Sequence, residues 1–227
     1  MLILERTEGD AILLHIIFTA VSLLTLSIPS GIPVGQLLCG LVILYNIMVP
    51  VVAWRRRHHE WLMLWLFLVP LSLLQIFPDW FLASELGVII FPDTGSLRIG
   101  DIPLYMGGLW TIPLFVIVLA GRRIEARFTR NLALFTVCIA SAVLFVGSEA
   151  ILWQIPIWHA TGVTVIFHVA IYLIIPEILL GLSTFLAFEV SHSRALWYRL
   201  AAAFTVMIIY LGNLCFFYFV VEHLIVK

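Results

Sequence analysis

Lysine occurs once in this chain, at Lys227, and charge of either sign is scarce: Asp, Glu, Lys and Arg make up 11% of 227 residues. A soluble domain of this length is about a quarter charged and about half apolar. Here 63% of residues are hydrophobic and the mean hydropathy is +1.14. That excess has no aqueous core to fill, so lipid is the expected solvent. The lysine shortage excludes a retinal opsin, which needs a Schiff-base lysine in its last helix; Lys227 lies beyond the last apolar run. Cysteine is equally sparse. Cys39, Cys138 and Cys215 sit inside apolar runs and are odd in number, which fits small buried side chains and not a disulfide framework or zinc site. A formal charge of −1 without a basic cluster excludes a nucleic-acid partner. The opening "MLILERTEGD" carries three acids, one base and no small-residue cleavage motif behind it, so no cleaved signal peptide is expected. Asn-x-Ser/Thr is also missing, which is compatible with a bacterial inner membrane.

What the chain does contain is seven apolar runs, each near the 17 to 25 residues that cross a bilayer. They fall near 11–28, 34–54, 61–82, 102–120, 131–153, 163–188 and 200–222. The expected fold is all-α, a single polytopic membrane domain over 1–227 built as a seven-transmembrane-helix bundle. Gly, Pro and charged clusters punctuate it, and "SIPSGIPVG" between the first two runs reads as a helical hairpin or a kink. With the N-terminus inside, ten of the twelve basic residues face the cytoplasm and only Arg98 and Lys227 lie opposite. The positive-inside rule therefore predicts a cytoplasmic N-terminus and a C-terminus on the far side. His58 and His59 fall in a basic loop, where they are expected to meet lipid headgroups with Arg55 to Arg57. Segment 83–101, "ASELGVIIFPDTGSLRIGD", is the one sizeable loop; "GVIIF" and "SLRIG" flanking "PDTG" predict a short outer hairpin. It reads as a lid over a site or as a connector.

Ionisable residues inside spans tend to face a bundle interior or a wet cavity. Asp79 and Glu149 fall near the outer ends of helices three and five, and His168 enters helix six from the same side. Tyr105, Trp110, Trp153 and Tyr172 surround that level, with Asn213 deeper in helix seven. Read as a site, Asp79 and Glu149 are the catalytic carboxyls, and Tyr105, Trp110, Trp153, His168, Tyr172 and Asn213 bind substrate. A carboxylic acid beside aromatic faces can protonate an alkene, and the rings can stabilise the resulting carbocation. Trp and Tyr also gather at membrane interfaces irrespective of function, which gives Trp80, Trp153 and Trp158 a second reading. No second His stands at metal-ligand spacing in the spans, so neither metal nor cofactor is expected.

Glu177 follows Pro176 in "YLIIPEILLGL". Counted from 163, it lies near or past the midplane, and nine residues place it opposite His168 on an unbroken helix. Pro176 removes a backbone donor, so a helix break is expected there, with Glu177 in the first turn beyond it. Gly181 and Thr184 give Glu177 a small-residue face for tight packing, and Asn46 and Gln75 are candidate partners. Pro176 and Glu177 are thus a helix break or a second polar site.

"ELGVIIFPDTG" followed by "IGDIPLYMGGLWTIPLF" resembles the polytopic carotenoid-synthesis family that includes carotenoid hydratases. The resemblance rests on Glu85, Gly87, Phe91, Pro92, Gly95, Ile102-Pro103-Leu104 and Ile112-Pro113-Leu114. It covers roughly 30 residues and lacks the family's paired loop tyrosines. There is also a looser likeness to integral-membrane terpene cyclases. The resemblance implies membrane isoprenoid chemistry, with a membrane lipid or isoprenoid small molecule as partner. The alternative is a non-catalytic lipid-binding, sensory or small transport protein that uses the Pro176–Glu177 break.

Overall fold

The computed structural model describes residues 5–226. The first two apolar runs form a helical hairpin, α1 (Arg6–Ser27) and α2 (Val34–Arg56), joined by a turn in which Gly31 takes a positive φ of 70°. The third run is α3 (His59–Leu74), continued by α4 (Ile76–Trp80) and a π-helical turn at Phe81–Glu85. A short α5 (Met106–Leu109) leads into α6 (Thr111–Arg127), followed by α7 (Arg130–Leu152), α8 (Ile171–Ser191) and α9 (Leu196–Tyr218). A last π-helical turn, Phe219–Ile225, ends the described chain. Seven of these helical segments are long and apolar enough to cross a membrane. Among the described residues the architecture is all-α apart from six two-residue strands, and is compatible with a multi-pass membrane protein because helices satisfy their backbone polar groups internally.

The loops differ from expectation. β1 (Ile89–Ile90) does not fold back within segment 83–101; it pairs antiparallel with β4 (His159–Ala160), far along the chain. β2 (Arg98–Ile99) and β3 (Ile102–Pro103) make the hairpin instead, turning at Gly100–Asp101. β5 (Val165–Ile166) and β6 (Val169–Ala170) form a third hairpin whose turn residues Phe167 and His168 have φ of 51° and 69°. The sixth helix therefore starts at Ile171 and not near 163, and the polar "HATGVT" run ahead of it is part of the cap. This moves His168 off helix six and onto a hairpin tip. It also corrects the expected break: α8 runs without interruption through Pro176. Pro176 lies in the second turn, where the carbonyl it cannot pair belongs to Tyr172 in the first turn.

Close approach of helix backbones supplies the packing. A Cβ on Gly181 would lie 1.9 Å from the Ser141 hydroxyl of α7, and one on Gly121 would lie 2.4 Å from Val137. Glycine is therefore required for α7 to seat against α8 and α6, and such contacts replace the hydrophobic effect between helices in lipid. Thr184, one turn below Gly181, is fully buried on the same face as expected.

Opposite the hairpins lies a basic end knitted by acids. Glu60 pairs with Arg122 at 3.1 Å and with Arg123, and Arg130 bridges Glu125 and Glu189, each at 2.9 Å. Arg127 binds Glu8 at 2.8 Å. His58 bonds Asp10 of α1 at 2.8 Å and is nearly buried, so it is a helix-to-helix tie and not a headgroup contact.

Candidate functional site: a carboxyl-lined cavity beneath the hairpins

A cavity of about 1410 Å³ runs inward from the hairpins, and Asp79, Glu149 and Glu177 all line it. They are 5%, 8% and 5% exposed. Their common level follows from the helix ends. Glu149 stands three residues before the end of α7, Glu177 six residues after the start of α8, and Asp79 in α4 just before its helix ends. At 1.5 Å per residue, the first two lie about 4 and 9 Å below the cap. The carboxyls of Glu149 and Glu177 are neighbours in this cavity. Glu177 is therefore a member of the cluster and not a separate deep site. Its expected depth was wrong because the helix start was placed eight residues too early.

In strict hydrogen-bond geometry neither oxygen of Glu149 has a protein donor, nor does Oε2 of Glu177, although the Ala170 backbone N–H stands beside Glu149. Ionised carboxylates only accept hydrogen bonds, so two neighbouring ones are satisfied by one proton between them or by a donor on a ligand. Asp79 is held differently: the Trp110 indole N–H donates to its Oδ2 at 3.3 Å. Trp110 is itself set between Phe145 at 5.7 Å and Tyr210 at 5.8 Å, ring centre to ring centre. Aromatic rings thus stand beside an acid in a mainly apolar chamber, with the indole edge of Trp110 turned to Asp79.

Of the other expected site residues, Trp110, Trp153 and His168 lie on the cavity wall. His168 stacks on Trp153 with centroids 4.3 Å apart and planes 11° from parallel. Tyr105 is behind the wall; its hydroxyl donates to the Ile157 carbonyl at 3.2 Å and clasps the two loops. Burial pushes the Tyr105 phenol up to about 12, so it keeps that donor proton at neutral pH. Tyr172 is also behind the wall, packed edge-on against Tyr218, with its hydroxyl unpartnered. Asn213 donates to its own helix at the Ile209 carbonyl and does not reach the cavity. Asn46 and Gln75 do not meet Glu177: Asn46 bridges the Val42 and Gly108 carbonyls, and Gln75 is buried without a partner.

Phe145 and the Glu149–Glu177 pairing are the features the sequence leaves unmarked, and Tyr210, deep in the last span by sequence, comes to the cavity wall. Four-residue spacing could have linked Phe145 to Glu149, but only the antiparallel contact of α7 and α8 brings Glu177 in. Among the described residues, no group of three or more His, Cys, Asp or Glu is arranged to hold a metal.

Fold and site together define a class: a multi-pass α-helical bundle with a buried carboxyl cluster under a looped cap. Residues 76–221 match the family described as Domain of unknown function (DUF6989), and the chain belongs to that family. The matched region holds Asp79, Glu149, Glu177 and Tyr210 and leaves out α1, α2 and α3. No curated protein and no solved structure matches the chain.

Proposed function

We propose that the chain is an integral-membrane enzyme that acts on an isoprenoid or other unsaturated lipid by carboxylic-acid chemistry, in the cyclase or hydratase manner. The observation that carries this reading is the meeting of Glu149, Glu177 and Asp79 in one aromatic-walled, mainly apolar cavity. Unpaired carboxyls are expensive inside a membrane span and tend to mark function. The N-terminus is cytoplasmic in this reading, supported by the arginines at the end of the bundle away from the hairpins, so the cluster lies toward the opposite leaflet.

The chemistry balances within the site. The O–H bond of a protonated carboxyl breaks as its proton adds to an alkene carbon; the π pair becomes the new C–H bond, and the adjacent carbon becomes cationic. The face of Trp110 can stabilise that cation by about 2 kcal/mol when desolvated. A second alkene of the same chain then closes a ring, or water adds. A proton leaving the neighbouring carbon, or the added water, returns to a carboxylate and restores the acid. The net change is an isomerisation or the addition of one water. Neighbouring carboxyls provide one donor and one acceptor in the same place, and Asp79, oriented by Trp110, is the second candidate acid.

The test is to incubate purified protein with polyprenyl and carotenoid substrates and to follow products by mass spectrometry, alongside Glu149→Gln, Glu177→Gln and Asp79→Asn. Turnover that all three variants retain removes these residues from the chemistry. The apolar cavity also suits a lipid carrier. Lipid that copurifies with the wild type while no substrate is converted selects that second reading.

A further inference from the structure

The cavity is longer than the site at its top. One face of α1, marked by Glu8, Ala11, His15, Thr19, Ser22 and Leu26, lines it from end to end, with α6 and α7 as the other wall. Those positions recur every three or four residues, the spacing of a single helical stripe. From Glu8 to Leu26 the stripe extends about 27 Å at 1.5 Å per residue, close to the roughly 30 Å of a bilayer core. At its far end it reaches Arg123 and Arg127 among the ion pairs.

The same helix is the least enclosed of the seven. Only 6% of its apolar window is buried, and it packs chiefly on α2. Its ties are unequal along its length. Glu5 and Glu8 meet Arg127, Asp10 meets His58, and at mid-height His15 Nε2 meets the Tyr45 hydroxyl at 3.0 Å. Beyond His15, among the described residues, no α1 side chain bonds to another helix. Ser22 Oγ is buried on the groove wall without a partner. Ile12, Ile16 and Leu23 line the groove yet are 49%, 60% and 63% exposed, so its flank is open to the surroundings. At the top end the unpartnered carboxyl of Glu149, 8% exposed, is directed into the same space.

We propose that the groove between α1 and the α6–α7 pair is the track for one extended polyprenyl chain, which enters sideways past the free half of α1 and brings an alkene to Glu149 and Glu177. This rests on the enzyme reading for the choice of an isoprenoid over a saturated chain. The track holds one linear chain along the bundle, so the substrate class is a long acyclic isoprenoid and not a compact ring system. Its far terminus meets the Arg123–Arg127 ion pairs, where a polar end group finds partners.

The experiment uses the full chain in phosphatidylcholine vesicles containing a trace of a diazirine-bearing polyprenol, with labelled residues mapped after irradiation. Expected labels fall on Ser22 and Leu26 of α1 and on Leu144 and Ser148 of α7, and unlabelled polyprenol competes them away. Ser22→Trp lowers that labelling roughly tenfold or more, as filling a hydrophobic subsite does. Leu13→Trp, on the exposed side of α1, leaves it unchanged and reports that a tryptophan on this helix is tolerated. Labels confined to Leu13, Ile17 and Leu24, or groove labels that unlabelled polyprenol does not compete away, overturn the track. Labelling needs no turnover, so the two readings fail separately. Full activity in Glu149→Gln, Glu177→Gln and Asp79→Asn alike sinks the chemistry and spares the track; wild-type turnover without groove labels does the reverse.

Discussion

Glu177 carries the sharpest consequence at the scale of a single residue. It is buried against Glu149 with an oxygen that no protein group satisfies, and such an atom costs about 1–3 kcal/mol of stability. Glu177→Leu is therefore expected to raise the melting temperature in detergent, whereas Glu177→Gln is expected to lower turnover by about 10²-fold or more. Thermal melts and product assays on the two variants check this; a Leu variant that is clearly less stable contradicts the assignment of an unsatisfied carboxyl. The acids themselves were legible in the sequence because a charge in an apolar run stands out. Their grouping was legible only in part. Asp79 and Glu149 stand at one end of the bundle because helices three and five end close to where their apolar runs end. Glu177 is hard to place from sequence because "VTVIFHVA" is as apolar as a helix yet folds as a hairpin, and β-branched residues in a short run do not declare which they form.

At the scale of elements, two contacts have measurable weight. Gly181→Val puts carbon where the Ser141 hydroxyl already sits, so α7 and α8 must separate. Overpacking of that kind costs about 1–3 kcal/mol, and Ser141→Gly in the same chain is expected to restore part of it, as urea or thermal unfolding of the single and double variants can show. The hairpin β5–β6 turns through Phe167 and His168, both at positive φ, where an L-residue with a side chain costs about 1–2 kcal/mol relative to glycine. Phe167 is 85% exposed, so its ring contributes little to compensate. Phe167→Gly is expected to stabilise the cap and slow amide exchange at Val165 to Ala170. His168→Gly relieves the backbone in the same way but removes the stack on Trp153, so activity and cap stability are expected to diverge in that variant alone. Neither feature shows in a hydropathy profile: the first is a contact between helices, and the second goes against the Asn-Gly chemistry that usually marks such a turn.

For the whole molecule, the seven-helix count was legible because length and hydropathy alone decide which segments can cross a bilayer. The pairing of loops was not, since strand partners are chosen by the tertiary arrangement. Orientation gives the prediction at this scale. In a chain with Cys39, Cys138 and Cys215 replaced by Ser, a new cysteine at Leu97, which is 75% exposed among the hairpins, is expected to react with an impermeant thiol reagent from outside the cell. One at Arg194 is expected to react only after the membrane is opened. The reverse pattern inverts the bundle and moves the carboxyl cluster to the cytoplasmic leaflet.

The strand pair Ile89–Ile90 with His159–Ala160 also bears on how such a chain is made. β1 precedes α5, α6 and α7 in the chain and β4 follows them, so the pair can meet only once these helices have brought β4 back to the same end. Until then the upper end of the bundle has no clasp, and Tyr105 has no Ile157 carbonyl to hold. Cap closure is thus a late event in folding, and an exposed β1 marks a chain in which α6 and α7 are not yet seated.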